Sequence, residues 1–116
     1  MEATVNKMIS SYITDTYFDS DFRNVLEDHM TFLRNHPETA IVSIKPIDLV
    51  KYAFDLTGLL NNLNIPINLH WVVARMNGMY SLTEVKEDMY QILVPSSKVI
   101  ENLRQVFVNL KNAQNN

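Results

Sequence analysis

The chain contains no cysteine. That absence removes disulfides, thiolate nucleophiles and cysteine-based zinc sites together. It also leans toward a reducing compartment, because small secreted domains often depend on disulfides. Glycine is scarce, with only Gly58 and Gly78 present. Phosphate-cradling loops need several glycines close together to bring backbone N–H groups to a ligand, so a nucleotide site of that type is excluded. No stretch approaches the roughly 18 uncharged apolar residues of a membrane-spanning helix. The first residues, Met1 to Lys7, lack a basic region followed by an apolar run, so no signal peptide is expected. Positive charge is also thin. Ten Lys and Arg stand against thirteen Asp and Glu, for a net charge of −3, and the basic residues are scattered singly. Nucleic-acid binders gather Lys and Arg on one face or along one helix, so no nucleic-acid partner is expected.

What is present is an ordinary globular composition, with 47% hydrophobic and 20% charged residues in a chain of 116. That length predicts one domain over residues 1–116. A chain of this size buries a smaller share of its surface than a larger one, so a partner surface would help it.

Apolar spacing places the elements. Val5, Met8, Ile9, Tyr12 and Ile13 follow the i, i+3, i+4 pattern of a helix over Thr4 to Thr14. Phe22, Val25, Leu26, His29, Phe32 and Leu33 predict a second helix over Ser20 to Asn35. Asp19 or Ser20 can cap it, and Pro37 ends it. The β-branched run Thr39 to Ile44 predicts a strand closed by Pro46. Residues 47–54 give no clear period and are expected to be an extended connection.

Asp55 is a good N-cap for a helix over Leu56 to Leu63, and Asn64 can take the left-handed conformation that ends it. Ile65-Pro66 forces an extended step. A further helix is expected over Asn68 to Met76, with Leu69, Val72, Val73 and Met76 inward and Asn77-Gly78 as its stop. Ser81 and Glu84 have the spacing of a capping box, which predicts one helical turn in a loop. Asp88 to Val94 predicts a second strand ended by Pro95. Ser97 to Ala113 predicts an amphipathic helix with Ile100, Leu103, Val106, Phe107 and Leu110 on its apolar face, capped by Ser96 or Ser97.

Chemistry-bearing constellations are missing. The three histidines, His29, His36 and His70, stand apart, with no His-x-x-x-His or Glu-x-x-His spacing to place two metal ligands on one helix face. His29 falls on an apolar stripe, as a satisfied core or interface histidine would. His36 stands at a helix end, where its side chain can bond the last carbonyls. No serine sits in a Gly-x-Ser-x-Gly elbow. Asp19 with Asp21, and Glu27 with Asp28, are explained by helix-dipole complementarity and solvation. The expectation is a protein without catalytic residues, cofactor or metal.

Aromatic and methionine side chains are the candidates for contact with partners. Trp71 beside Val72-Val73 suits an interface anchor or a rim packing position. Tyr12, Tyr17, Phe18 and Phe22 gather near the first interhelical turn, and Phe107 lies on the last helix. Met76, Met79 and Met89 surround the Asn-Gly turn, as core filler or as an adaptable contact patch.

The stretch Ala40 to Ser96, about half the chain, resembles a LysM domain. The residues that carry the resemblance are the strand Ile41 to Ile44, the helix after Asp55, the Asn64-Ile65-Pro66 turn, the phrase Leu69 to Met79 with its Asn-Gly turn, and the run Val85 to Pro95. LysM domains carry a Gly-Asp-Thr-like turn after the first strand, where this chain has Pro46-Ile47-Asp48 and extra residues. Over its whole length, through Tyr52 to Leu56, Ile65-Pro66 and His70 to Gly78, the chain is similar to baseplate wedge proteins of contractile-tailed bacteriophages that carry a LysM-like fold.

The resemblance implies an α+β fold, a LysM-like β-α-α-β core with two N-terminal helices and one C-terminal helix. It implies a structural role in a virion tail, in a protein made in the host cytoplasm, with other structural proteins of the assembly as partners. Contacts are expected at the Trp71 region, the helices of residues 1–36 and the helix of residues 97–113. The alternative is a glycan-binding LysM module, which needs a polar, aromatic-lined groove beside Pro46-Ile47-Asp48 and residues 77–83. A small regulatory adaptor is a third reading.

Overall fold

A computed structural model describes residues 16–115. The helix expected over Thr4 to Thr14, with Tyr12, lies outside the described residues. Those described form a mixed α+β structure. Its elements are α1 (Ser20–Asp28), α2 (Met30–Asn35), β1 (Ala40–Ser43), α3 (Pro46–Lys51), α4 (Leu56–Asn62), a 3-10 turn (Ile67–Leu69), α5 (His70–Met76), β2 (Gln91–Val94) and α6 (Ser97–Asn115).

The two strands pair antiparallel, with Ala40 opposite Val94, Ile41 opposite Leu93, Val42 opposite Ile92 and Ser43 opposite Gln91. Alternation explains the register: Ile92 is buried and Val42 packs against the core, while Ile41 faces outward. Beyond the last rung, the Ile44 N–H reaches the Tyr90 carbonyl at 2.8 Å and the Ile44 side chain is buried. The core beneath the sheet comes chiefly from α4 and α5. Leu56, Leu59, Leu60, Val72 and Val73 lie among the most completely enclosed side chains, joined by Phe22, Leu33, Ile92 and Ile100.

Local chemistry sets the helix ends. Asp19 accepts from the Asp21 and Phe22 N–H groups at 2.7 and 3.4 Å. Asp55 accepts from the Gly58 N–H at 2.9 Å. Both α4 and α5 close through a left-handed residue, Asn64 at φ 62° and Gly78 at φ 78°. The next N–H then reaches back into the helix, from Ile65 to Leu60 at 3.0 Å and from Met79 to Ala74 at 2.8 Å.

Several expectations are corrected. The single helix over Ser20 to Asn35 is two helices broken at His29. The His29 ring bonds the Val25 carbonyl at 2.7 Å, and its backbone N–H goes instead to Leu26 at 3.1 Å. The buried row is therefore Phe22, Leu26, Met30 and Leu33, and Phe32 turns outward. His36 does not bond the last carbonyls of α2; its Nδ1 accepts the Glu38 N–H at 3.0 Å, and the Thr39 hydroxyl donates to the Leu33 carbonyl.

Residues 47–54 are not extended, because Pro46 occupies the first position of α3, where its missing N–H costs nothing. The helix expected from Asn68 begins as a 3-10 turn at Ile67. Ser81 does not start a helical turn; its hydroxyl accepts the Thr83 N–H at 3.1 Å and holds a local turn. The second strand is shorter than expected, since the Lys86–Met89 hydrogen bond makes a turn immediately before it.

The hairpin of α1 and α2 is docked on α5. Glu27 forms a bidentate pair with Arg75, and Arg34 donates to the carbonyls of Met76 and Arg75 at 3.0 and 3.1 Å. Arg34 thus caps the Met76 carbonyl at the end of α5 and shares the Arg75 carbonyl with the Gly78 N–H.

Candidate interaction surface

The aromatic candidates fall into an inner and an outer group. Tyr17, Phe22 and Phe107 are brought together inside. Phe22 meets Tyr17 edge-on at 5.7 Å between ring centres and lies tilted against Phe107 at 5.4 Å. The Tyr17 hydroxyl donates to Glu101 at 2.9 Å, and Asp19 pairs with Lys111 at 2.8 Å. This cluster fastens the start of α1 to α6. Burial, then the neighbouring Glu101 carboxylate, pushes the Tyr17 hydroxyl up to about 12. Met79, with Met76 and Met89, is also buried, so the methionines around the Asn-Gly turn fill the core.

Phe18 and Trp71 form the outer group. Phe18 is 51% exposed and Trp71 is half-buried on α5. The guanidinium of Arg23 joins them, 5.2 Å from the Phe18 ring centre and 5.0 Å from that of Trp71. Arg23 escaped the sequence reading because a single arginine on a polar helix face carries no signal until the facing helix is known.

A second surface was equally hidden. On α3 and the turn after it, Ile47, Val50 and Phe54 are 68%, 74% and 87% exposed. Their i, i+3, i+7 spacing is a helical stripe directed away from the buried Leu49. Beside it lies a cavity of about 400 Å³ lined by Pro46, Leu49, Val50, Ala53, Val85 and Tyr90, with Glu87 at its rim. The signal in the sequence was Pro46 itself, taken as the end of a strand when it is also a favoured first residue of a helix.

The third surface is a groove of about 560 Å³ between α1 and α6, floored by Val25, Leu103 and Phe107 and edged by Val106 and Leu110. Leu103 and Phe107 keep α6 packed against the core past Ile100, while Val106 and Leu110 turn outward and are 56% and 61% exposed. The sequence anticipated this apolar face as a unit; the structure divides it into Ile100, Leu103 and Phe107, which pack on the core, and Val106 and Leu110, which face outward.

No family model, curated protein or solved structure significantly matches this chain.

Among the described residues, no group of three or more His, Asp or Glu side chains is placed to hold a metal ion. No described helix is long and apolar enough to cross a membrane. The Arg75 hydrogen bond holds the Glu27 carboxyl below its usual range, and Arg104 does the same for Glu101. The two loops required for a glycan groove open onto different cavities: Pro46 lines the one beside α3, while Gly78 to Ser81 line another of about 300 Å³ with Glu84 and Lys86. Tyr80 at that second cavity is 89% exposed, with Arg75 stacked 4.1 Å from its ring centre.

Proposed function

We propose that this chain is a non-catalytic structural subunit that joins a larger protein assembly by docking its apolar surfaces against neighbouring subunits. The observation that carries the reading is the row Ile47, Val50 and Phe54, whose side chains are 68–87% exposed beside an apolar cavity. Large apolar side chains grouped this way on a small protein mark an interaction site. A neighbouring helix laid against such a row and cavity would bury it in the helix-in-groove mode.

The finer reading is a LysM-like core in a baseplate wedge subunit of a contractile phage tail, made in the host cytoplasm and carried in the virion. The order β1, α4, α5, β2 with antiparallel strands supports the LysM-like comparison, and α3 after β1 departs from it. The apolar character of the α3 surface favours protein contacts over the glycan-binding alternative, which calls for a polar groove.

Sedimentation tests the assembly role. Epitope-tagged chain produced in its native background should travel with large particles, and Val50→Glu with Phe54→Glu should return it to the top of the gradient. Wild-type chain found only as slow, monomeric material would overturn the proposal. Retention on purified peptidoglycan would favour the glycan module instead.

A further inference from the structure

Arg23 carries a charge that the described residues leave unmatched. It lies on α1 one turn after Asp19 and one turn before Glu27, the two carboxylates positioned to pair with it along the helix. Both are already taken: Asp19 caps α1 and binds Lys111, and Glu27 is held by Arg75. The Arg23 Nε is buried and has no hydrogen-bond partner. Burial works against its charge, and among the described residues no carboxylate offsets that cost. In a chain with thirteen acidic and ten basic residues, a half-buried cation without an acid is unusual.

The rings around it neutralise only part of the cost. Phe18 and Trp71 present their faces to the guanidinium at 5.2 and 5.0 Å, a cation–π arrangement that leaves hydrogen-bonding edges of the group unused. Phe18, half exposed, supplies apolar surface at the mouth of the site, and Trp71 ties the guanidinium to α5. Tryptophan and arginine are the residue types that dominate interface energetics.

Resting on the assembly reading above, we infer that the Phe18–Arg23–Trp71 cluster is the docking site for a carboxylate side chain on a partner protein, with an apolar residue beside it covering Phe18. A carboxylate can take the guanidinium fork with two parallel hydrogen bonds. Its arrival at the open edge of the guanidinium would supply the missing counter-charge. The flanking apolar rings suit a protein segment. A nucleic-acid backbone would require several clustered cations, and this site holds one.

The test uses the intact chain and a surface-displayed random peptide library. Selected peptides should be enriched in Asp or Glu next to Leu, Met or an aromatic residue. Trp71 is the only tryptophan in the chain, so its fluorescence reports binding at this site directly. A synthetic selected peptide should shift that emission. Its amide version, with Asp→Asn or Glu→Gln, should bind at least about tenfold more weakly, a loss of about 1.4 kcal/mol. Arg23→Met, which keeps an apolar stem, should weaken the acidic peptide to a similar extent.

Comparing the two peptides on wild-type protein needs no variant, so the test stands even if Arg23→Met folds poorly. Failure to select any peptide, selection without acidic enrichment, or equal affinity for the acid and amide peptides would overturn the inference. So would a short oligonucleotide that shifts Trp71 emission more strongly than any acidic peptide. None of those outcomes touches the α3 sedimentation experiment. A chain that joins particles without need of Arg23 would keep the assembly role and lose this site.

Discussion

The Asn77 side chain joins two elements far apart in sequence, and its removal gives the most informative test of how the core is held. Its amide nitrogen donates to the Leu93 carbonyl at 2.9 Å and to the Val73 carbonyl at 2.7 Å, while its amide oxygen accepts the Leu93 N–H at 2.8 Å. One side chain therefore imitates a neighbouring strand along β2 and at the same time closes the last turn of α5. A hydrogen bond contributes about 0.5–1.5 kcal/mol net, so losing these three would cost about 1.5–4.5 kcal/mol. Asn77 is half-buried, and water can replace part of the loss, which puts Asn77→Ala at about 2–3 kcal/mol.

Urea unfolding followed by far-UV circular dichroism reads this directly. With a slope of about 1–3 kcal/mol per molar, the midpoint should fall by about 0.7–3 M. Asn77→Asp sharpens the argument. It keeps an acceptor for the Leu93 N–H but turns the donor into an oxygen facing two carbonyls. The introduced carboxyl should therefore have a raised pKa in the folded protein. Its ionisation then destabilises the fold as pH rises, so Asn77→Asp should recover stability relative to wild type as pH falls toward 4. An Asn77→Ala protein within about 0.5 kcal/mol of wild type, the range of ordinary surface substitutions, would refute the reasoning. An Asn77→Asp deficit that does not change with pH would refute the electrostatic half of it.

Other predictions follow from the same bonds. Because the Tyr17 hydroxyl is raised to about 12 from 10.0, the unfolded chain ionises first, and stability should fall as pH rises through that window; Tyr17→Phe should flatten the alkaline loss in a pH-resolved melting series. Glu27 titrates below its usual value through Arg75, so its contribution is present above the unfolded value and lost on acidification; Glu27→Gln should reduce the acid sensitivity of unfolding below about pH 4.5. Gly58→Ala should destabilise by about 1 kcal/mol despite the better helix former, since the new methyl would displace the Asp55 cap and crowd Tyr52 at 3.1 Å; calorimetry on the pair would show it. His70 is almost fully enclosed and bonds the Ile65 carbonyl at 2.8 Å through Nε2, so His70→Leu should cost about 1–3 kcal/mol in urea unfolding by leaving that carbonyl without a donor.

Much of the fold was legible because strong local signals agreed with tertiary packing. Asp19 and Asp55 at their caps, Asn64 and Gly78 at their left-handed stops, and the β-branched first strand all follow from the residue types alone. What escaped depended on competition between local options. His29 sits on a continuous helical stripe, and only the bond from its ring to Val25 shows why the backbone breaks there. Pro46 can close a strand or open a helix, and the choice rests on Leu49 finding the core. The candidate site divided in the same way. Aromatic residues could be named as contact candidates, but their sequence neighbours do not say which side faces in. Phe18 and Phe22 are four residues apart, yet one lies half exposed and the other is wholly enclosed. Arg23 gained meaning only when α5 brought Trp71 beneath it.

The Asn77 amide has a further effect on how copies of this molecule can behave in crowded solution. A two-stranded sheet ordinarily offers two open borders, and a repeating stack needs both, one to receive a strand and one to offer the next. Here the Leu93 rung on the outer border of β2 is already occupied from within the molecule, and Pro95, just beyond the strand, has no N–H to give. Among the described residues, the border of β1 that bears Ile41 and Ser43 stays open, while on the outer border of β2 Gln91 faces outward beside the occupied Leu93 rung. Strand-to-strand joining between copies would then be shortened on the β2 side, which disfavours a repeating stack that must use both borders.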